Sequence, residues 1–165
     1  MRLFFALWPP HDTAEALARW AKAFEGRAIP AEKIHLTLAF LGGVDAGKAS
    51  AAARKVRAGT FELPLENAKY VRGNEMVWVA PKETPEGLKA LVERLHFELY
   101  RAEFILERRP FAAHVTLLRK APRPKAMAPL PKVAWPVREF VLVNSVNGAY
   151  RDVERFPLAA QKSQR

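Results

Sequence analysis

The sequence contains no cysteine at any of its 165 positions. Disulfide bonds, thiolate catalysis and cysteine-based zinc or iron–sulfur sites are therefore excluded. Long apolar runs are also missing, because the run from Leu3 to Trp8 ends at Pro9-Pro10 and no other run approaches the length of a membrane span. We therefore expect a cytoplasmic protein that does not span a membrane.

Acidic residues are scarce, with 17 Asp and Glu against 27 Lys and Arg, which gives a formal charge of +10. Such an excess suits a polyanionic partner such as RNA, DNA or a phosphorylated small molecule. Carboxylate clusters with metal-ligand spacing are absent as well. The length, the 50% hydrophobic content and the lack of a long linker predict a single domain over residues 1–165, either one compact unit or two small lobes that share a core.

The chain contains one short pattern twice, as His35-Leu36-Thr37-Leu38 and as His114-Val115-Thr116-Leu117. Side chains alternate between the two faces of a strand, so each His lies beside its Thr while the aliphatic partners point the other way. His11-Asp12-Thr13 also has this spacing, but it follows two prolines and is more typical of the start of a helix. The two copies predict one site to which both strands contribute.

Apolar periodicity predicts strands that alternate with helices. Strands are expected over residues 2–8, 33–41, 60–71, 76–80, 113–119, 139–146 and 150–156, with another shortly before Arg108. The last two strands flank Asn147-Gly148, which predicts a tight hairpin turn. Each half of the chain thus supplies a motif strand, helices and a hairpin, the pattern of two α+β lobes that face each other across a cleft.

Helices are expected to begin at a cap on Asp12 or Thr13, at Asp45, and at Thr84 with Pro85 in the first helical position. The proline-rich stretch 121–136 predicts an irregular loop with its own basic residues, Arg123, Lys125 and Lys132. Residues 161–165 are expected to form a frayed tail.

Two imidazoles with ordinary pKa values near 6.5 can act as an acid–base pair, because one can hold a proton while the other does not. Thr37 and Thr116 can donate hydrogen bonds to the non-bridging oxygens of a phosphodiester, so this chemistry needs no metal and no cofactor. Two other hypotheses stay open. His35 and His114 could be ligands of a metallohydrolase, although a third ligand is not obvious, or the chain could be a non-catalytic RNA-binding module.

The residues also carry a resemblance. The two motifs, the opening residues 2–7, the stretch 34–42, Arg109-Pro110-Phe111 and the closing patterns 148–150 and 156–158 resemble the two-histidine (2H) phosphoesterase superfamily. Within it, the chain is most similar to RNA 2′,3′-cyclic phosphodiesterases, also called 2′-5′ RNA ligases. It departs from that pattern at Ala113, where proline is common, and at Asn144-Ser145, where Glu-Ser is common.

The resemblance implies a bilobal α+β fold, with two pseudo-symmetric lobes whose antiparallel sheets face a central cleft and whose helices lie outside. It implies metal-independent opening of RNA 2′,3′-cyclic phosphates to 2′-phosphates, reversible 2′-5′ ligation as a second activity, and RNA ends or small cyclic nucleotides as partners of a monomeric protein. His35 and His114 would be catalytic, with His114 as base and His35 as acid, and Thr37 and Thr116 would hold the phosphate. Arg119 matches a phosphate-binding arginine of the family.

Several neighbouring residues have two interpretations. Arg119 lies three residues after Thr116, so it reaches the cleft only if the strand bulges or ends first. His11 and His96 are expected to be surface or structural histidines. Aromatic residues in strands could stack on a nucleobase or belong to the core, namely Phe5, Trp78 and Phe111. Basic residues around the second motif could guide RNA or form a solvated face, namely Arg108, Arg109, Lys120, Arg123 and Lys125.

Overall fold

The computed structural model describes residues 2–160, and the tail expected at 161–165 lies outside the described residues. Its helices are α1 (His11–Ala21), α2 (Ala46–Ala53) and α3 (Glu86–Arg101). Its strands are β1 (Arg2–Leu7), β2 (Arg27–Ala28), β3 (Leu36–Gly42), β4 (Phe61–Glu62), β5 (Asn67–Val71), β6 (Met76–Ala80), β7 (Val115–Arg119), β8 (Pro136–Val137), β9 (Glu139–Val146) and β10 (Ala149–Pro157). The predicted α+β class is confirmed. Among residues 2–160, no helix is long and apolar enough to cross a membrane.

The main sheet has the strand order β10-β9-β1-β3-β7-β6-β5, and neighbouring strands pair antiparallel. The two motif strands, β3 and β7, meet at one pair only, Leu36 opposite Val115. Beyond that pair β2 replaces β3 as the neighbour of β7, and the Ile29 amide donates to the Leu117 carbonyl at 2.9 Å. The two halves of the sheet are therefore continuous at one point and diverge on either side of it.

Strand β1 is buried on both faces, as its continuous apolar sequence predicts. Leu3, Phe5 and Leu7 belong to the main core, while Phe4 packs in a smaller cluster on the other face with Val141 and its neighbours. Burying each such side chain contributes about 1.5–3 kcal/mol. The smaller cluster lies beside the first motif strand, because the Phe4 ring contacts the His35 ring.

The helices pack with the faces that periodicity predicts. The apolar stripe of α3 is buried, namely Leu88, Leu91, Val92, Leu95 and Leu99. Asp45 caps α2 as expected, since its carboxylate accepts from the amides of Gly47 at 2.8 Å and Lys48 at 3.3 Å. The buried residues of α2 are alanines and one serine, which allow close packing against α3.

The other two helix starts differ from the expectation. Pro10 and Pro85 occupy the N-cap positions of α1 and α3, without a side-chain cap. A proline is tolerated there because its missing N–H would have no helical partner. Thr13 is instead buried, and its hydroxyl donates to the Ala134 carbonyl.

Three predicted strands also change. The segment 60–71 is divided into β4 and β5, with Pro64 between them, because proline cannot donate to a strand ladder. The first motif strand begins at Leu36 rather than residue 33, since Lys33 belongs to a 3₁₀ turn. The prediction of a strand before Arg108 is wrong. Both edges of β7 are already paired, and the segment forms part of a cavity wall instead.

Residues 121–135 are irregular as predicted, and only Pro136 enters a strand. The loop is nonetheless held against α1, because the Trp20 indole donates to the Ala128 and Pro129 carbonyls at 3.2 and 3.0 Å. Trp135 is fully buried. The predicted hairpin at Asn147-Gly148 is confirmed, with both residues at positive φ as a tight turn of this kind requires.

Candidate active site

A cavity of about 810 Å³ lies where β3 and β7 diverge. It is lined by all five residues that the sequence selected, His35, Thr37, His114, Thr116 and Arg119. Antiparallel pairing of Leu36 with Val115 turns the residues on either side of that pair to one common face. Both His-x-Thr pairs therefore open into the same cleft.

Each motif histidine immediately precedes its strand and is fixed in the same way. The Nδ1 atom of His35 lies 2.7 Å from the Lys33 carbonyl, and Nδ1 of His114 lies 2.9 Å from the Ala112 carbonyl. A carbonyl oxygen can only accept, so Nδ1 of each ring carries the proton. The Nε2 atom of each neutral ring therefore keeps a lone pair, and it is the atom able to exchange a proton with a ligand.

Three aromatic rings surround His35. The ring centroids of Phe4, Trp8 and Tyr150 lie 5.1, 5.5 and 5.5 Å from that of His35. Burial lowers the pKa of His35 below its ordinary value, and the positive charges of Arg119 and His114 lower it further. The hydrogen bond to the Lys33 carbonyl opposes this shift. His35 is consequently biased towards its neutral form.

The two motifs differ in their hydrogen bonds to threonine. The Nε2 atom of His35 is 3.1 Å from the Thr37 hydroxyl oxygen. For Thr116, no side-chain hydrogen bond is found within residues 2–160. Thr116 consequently presents a hydroxyl to the cleft without competition, whereas the Thr37 hydroxyl is already in contact with His35.

His114 is stacked on Trp78, with ring centroids 3.8 Å apart and planes 19° apart. Trp78 comes from β6, where it lies opposite Thr116, so the strand pairing sets this contact. The indole Nε1 is buried and has no hydrogen-bond partner among the described residues. Trp78 therefore restricts the rotation of the His114 ring, a role that its place in an apolar strand did not reveal.

A β-bulge brings Arg119 to the cleft. On β6 the consecutive residues Val77 and Trp78 pair with Leu118 and Thr116, so Leu117 is the extra residue on β7. Both Leu117 and Leu118 are fully buried. Arg119 thus lies on the same face of the strand as Thr116. The bulge that Arg119 needs in order to reach the cleft is therefore present.

The first motif has a matching bulge. Phe5 and Ala6 of β1 pair with Ala39 and Thr37, which leaves Leu38 as the extra residue. Phe40, five residues after His35 as Arg119 is five after His114, lines the cavity and is 46% exposed. Phe40 was not predicted from the sequence, although its spacing from His35, equal to that of Arg119 from His114, was the signal that could have identified it.

The remaining selected residues divide between cleft and scaffold. His96 lines the cavity, but its Nε2 lies 2.9 Å from the carbonyl of the bulged Leu38, so its expected structural role is supported. Phe5 is a core residue, while Phe111 lines the cleft. Of the basic residues around the second motif, Arg109 lines the cavity, whereas the others lie outside it, namely Arg108, Lys120, Arg123 and Lys125.

No group of three or more His, Asp or Glu side chains placed to hold a metal ion occurs within residues 2–160. The five residues selected from the sequence supply two imidazoles, two hydroxyls and one guanidinium. This donor set fits a phosphate group better than a divalent cation, which prefers carboxylates or a third imidazole beside the first two.

An antiparallel α+β fold with two His-x-Thr strands on one cleft matches the two-histidine phosphoesterases. The model of the 2′-5′ RNA ligase superfamily matches residues 8–149, and the chain belongs to this family.

Relatives of this chain span nearly its whole length. The RNA 2′,3′-cyclic phosphodiesterase of Escherichia coli K12 is 35% identical over 87% of this chain and 86% of its own length. The enzyme of the same name from Thermus thermophilus is 32% identical over 98% of this chain and 92% of its own. The crystal structure of E. coli LigT complexed with 3′-AMP superimposes with a TM-score of 0.85, at 32% identity, covering 95% of this chain and 97% of that one.

Proposed function

We propose that this chain hydrolyses RNA 2′,3′-cyclic phosphate ends to 2′-phosphates, with His35 and His114 as the acid–base pair. The observation that carries the proposal is the shared cleft, which is lined by two imidazoles with Nδ1 held by carbonyls, by two threonine hydroxyls and by Arg119. The names of the relatives supply the substrate class, and the LigT complex contains a nucleotide.

The reaction adds one water molecule. A neutral imidazole accepts a proton from the water as its oxygen attacks phosphorus, and the bond from phosphorus to O3′ breaks. The other imidazole, protonated on Nε2, gives its proton to O3′, which leaves a 2′-phosphate and a free 3′-hydroxyl. Thr37, Thr116 and Arg119 donate to the non-bridging oxygens, whose negative charge grows in the transition state. Proton exchange with solvent then restores both rings.

The two rings have distinct roles in this scheme, and the burial of His35 suggests which is which. Because its pKa is lowered, His35 is neutral over a wider pH range and suits the base. His114 is then the acid. This assignment is the reverse of the one that the family resemblance implied, so it requires a direct test.

Activity against pH is expected to follow a bell whose rising limb lies below pH 6.5. The base works only when deprotonated, so the rate rises as pH passes the pKa of His35, which lies below the ordinary value of 6.5. The measurement is kcat/KM for a cyclic mononucleotide across the pH range. A rate that climbs steadily into the alkaline range would instead indicate hydroxide or a metal-bound water as the nucleophile.

A cyclic substrate with sulfur in place of the 3′ bridging oxygen separates acid from base. A thiolate leaves without being protonated, because its conjugate thiol is far more acidic than an alcohol. The loss caused by His114→Asn should therefore shrink on this substrate, while that of His35→Asn should persist. The opposite pattern would return the role of acid to His35.

Ligation follows from the same geometry. If the 5′-hydroxyl of a second RNA replaces water, the same two proton transfers form a 2′-5′ phosphodiester and release O3′.

We also propose that the protein is a monomer, that it forms one bilobal domain, and that it acts in the cytoplasm, where RNA ends are available.

Product analysis tests the proposed function. A dinucleotide with a 2′,3′-cyclic phosphate end should give a single product with a 2′-phosphate, at an unchanged rate in excess EDTA. The control is the double variant His35→Asn/His114→Asn, purified identically to reveal contaminating ribonuclease. A 3′-phosphate product would contradict the regiochemistry. Loss of activity in EDTA would favour a metallohydrolase, and absence of turnover would favour a binding module.

A further inference from the structure

A second cavity, of about 550 Å³, lies between the edge strand β5 and the loop that follows β7. We call it the β5 groove. Its walls are formed by residues 68–72 on one side and residues 123–127 on the other, and none of its lining residues also lines the catalytic cleft. It is therefore a separate feature of the surface.

The β5 groove carries positive charge only. Four of its nine lining residues are cationic and none is acidic, namely Lys69, Arg72, Arg123 and Lys125. All four are exposed, and none takes part in an ion pair described within residues 2–160. Like charges brought together repel one another, so the groove attracts a polyanion that neutralises them.

The β5 groove is connected to the catalytic cleft through the β5–β6 turn. Arg72 begins this turn on the groove side, and Asn74 lines the cleft on the other. The Ala121 amide donates to the Glu75 carbonyl at 2.8 Å, and the Tyr70 hydroxyl donates to the Ala121 carbonyl at 3.0 Å. These bonds hold the loop against the hairpin, so the walls of the groove are fixed relative to the cleft.

The distance between the two features is short. Arg119 in the cleft and Arg123 in the groove are four residues apart, so their Cα atoms are separated by at most about 14 Å. The cyclic phosphate is the 3′ end of its RNA, hence the rest of the strand must leave the cleft in the 5′ direction. A few nucleotides are enough to cover this distance.

We propose that the β5 groove binds the phosphodiester backbone of the RNA on the 5′ side of the cyclic phosphate, as a subsite that only oligonucleotides reach. This inference rests on the proposed function, from which the polarity of the strand follows. Of the four cationic residues of the groove, the sequence indicated only Arg123 and Lys125 as residues that could guide RNA, and the structure adds Lys69 and Arg72 to them. Lys132, which belongs to the same loop, lies outside the groove.

The test compares two double variants, Lys69→Gln/Arg72→Gln and Arg123→Gln/Lys125→Gln, with Lys132→Gln/Lys22→Gln. The control pair removes the same charge at exposed positions outside the groove. Each is measured on a cyclic mononucleotide and on an eight-nucleotide RNA with a cyclic phosphate end. Losing two phosphate contacts should raise KM for the oligonucleotide about tenfold and reduce the slope of log KM against log salt by about 1.4. The kinetics on the mononucleotide should stay unchanged in both groove variants. The control pair should leave the kinetics on both substrates unchanged.

Equal losses on both substrates would overturn the proposal, since the residues would then act on the catalytic site. Equal losses in the control would mean that only net charge matters, and unchanged oligonucleotide kinetics would mean that the groove takes no part. Affinity for a labelled octanucleotide with a 3′-hydroxyl end is measured in parallel. Because this RNA cannot be hydrolysed, the groove is tested even if the chain does not turn over cyclic phosphates, and a tenfold loss of affinity is again expected.

Discussion

Replacing either His35 or His114 with asparagine is expected to lower kcat by a factor of about 10² to 10⁴. Asparagine keeps an N–H donor near the position of Nδ1, so the hydrogen bond to the Lys33 or Ala112 carbonyl can persist. It removes Nε2, the atom that exchanges the proton in the proposed mechanism. The loss should therefore come from chemistry rather than from altered folding, which the melting temperature of each variant would verify.

His96 provides a matched control in the same cavity. Its Nε2 is bound to the Leu38 carbonyl, and glutamine keeps a donor near that position, so His96→Gln should retain kcat within a few-fold. The double variant His35→Asn/His114→Asn should have a kcat only slightly below that of the less active single variant, because the effects of residues that act as a unit are not additive. Near-full activity of either single variant would refute the acid–base mechanism.

The elements that could be predicted from the sequence are those specified by local patterns. The continuous apolar run of β1, the stripe of α3, the cap at Asp45 and the turn at Asn147-Gly148 each depend on residues within one segment. The prolines at 10 and 85 were also visible. That they occupy the N-caps could not be predicted, because Thr13 and Thr84 offered an equally good cap for each helix.

The pairing of the two halves is a long-range property, and it could not be predicted in the same way. One contact, Leu36 with Val115, joins segments 79 positions apart, and the bulges at Leu38 and Leu117 depend on the registers that β1 and β6 impose. The alternation rule could state that Arg119 needs a bulge to enter the cleft. Only the paired strands establish that the bulge exists.

The surroundings of the two histidines are equally non-local. Phe4, Trp8 and Tyr150 reach His35 from both ends of the chain, and burial of the His35 ring lowers its pKa. Trp78 reaches His114 from a neighbouring strand. An aromatic residue in an apolar strand has the same local pattern in a core and beside an imidazole, so the identity of the candidate site was predictable and its electrostatic asymmetry was not.

A second large effect on kcat is expected from replacement of the two threonines. Thr37→Val and Thr116→Val should each lower kcat for a cyclic mononucleotide by about 10² to 10³ with little change in KM, because a transition-state donor is lost while the shape is kept. Thr→Ser at either position should restore most of the rate.

The two valine variants should also differ in their pH profiles, since only the Thr37 hydroxyl contacts His35 Nε2. Thr37→Val should therefore displace the pH limb of His35, whereas Thr116→Val should leave it in place. A change confined to KM would mean that the threonines bind the ground state, and identical pH profiles would mean that the bond between Thr37 and His35 has no part in tuning the base.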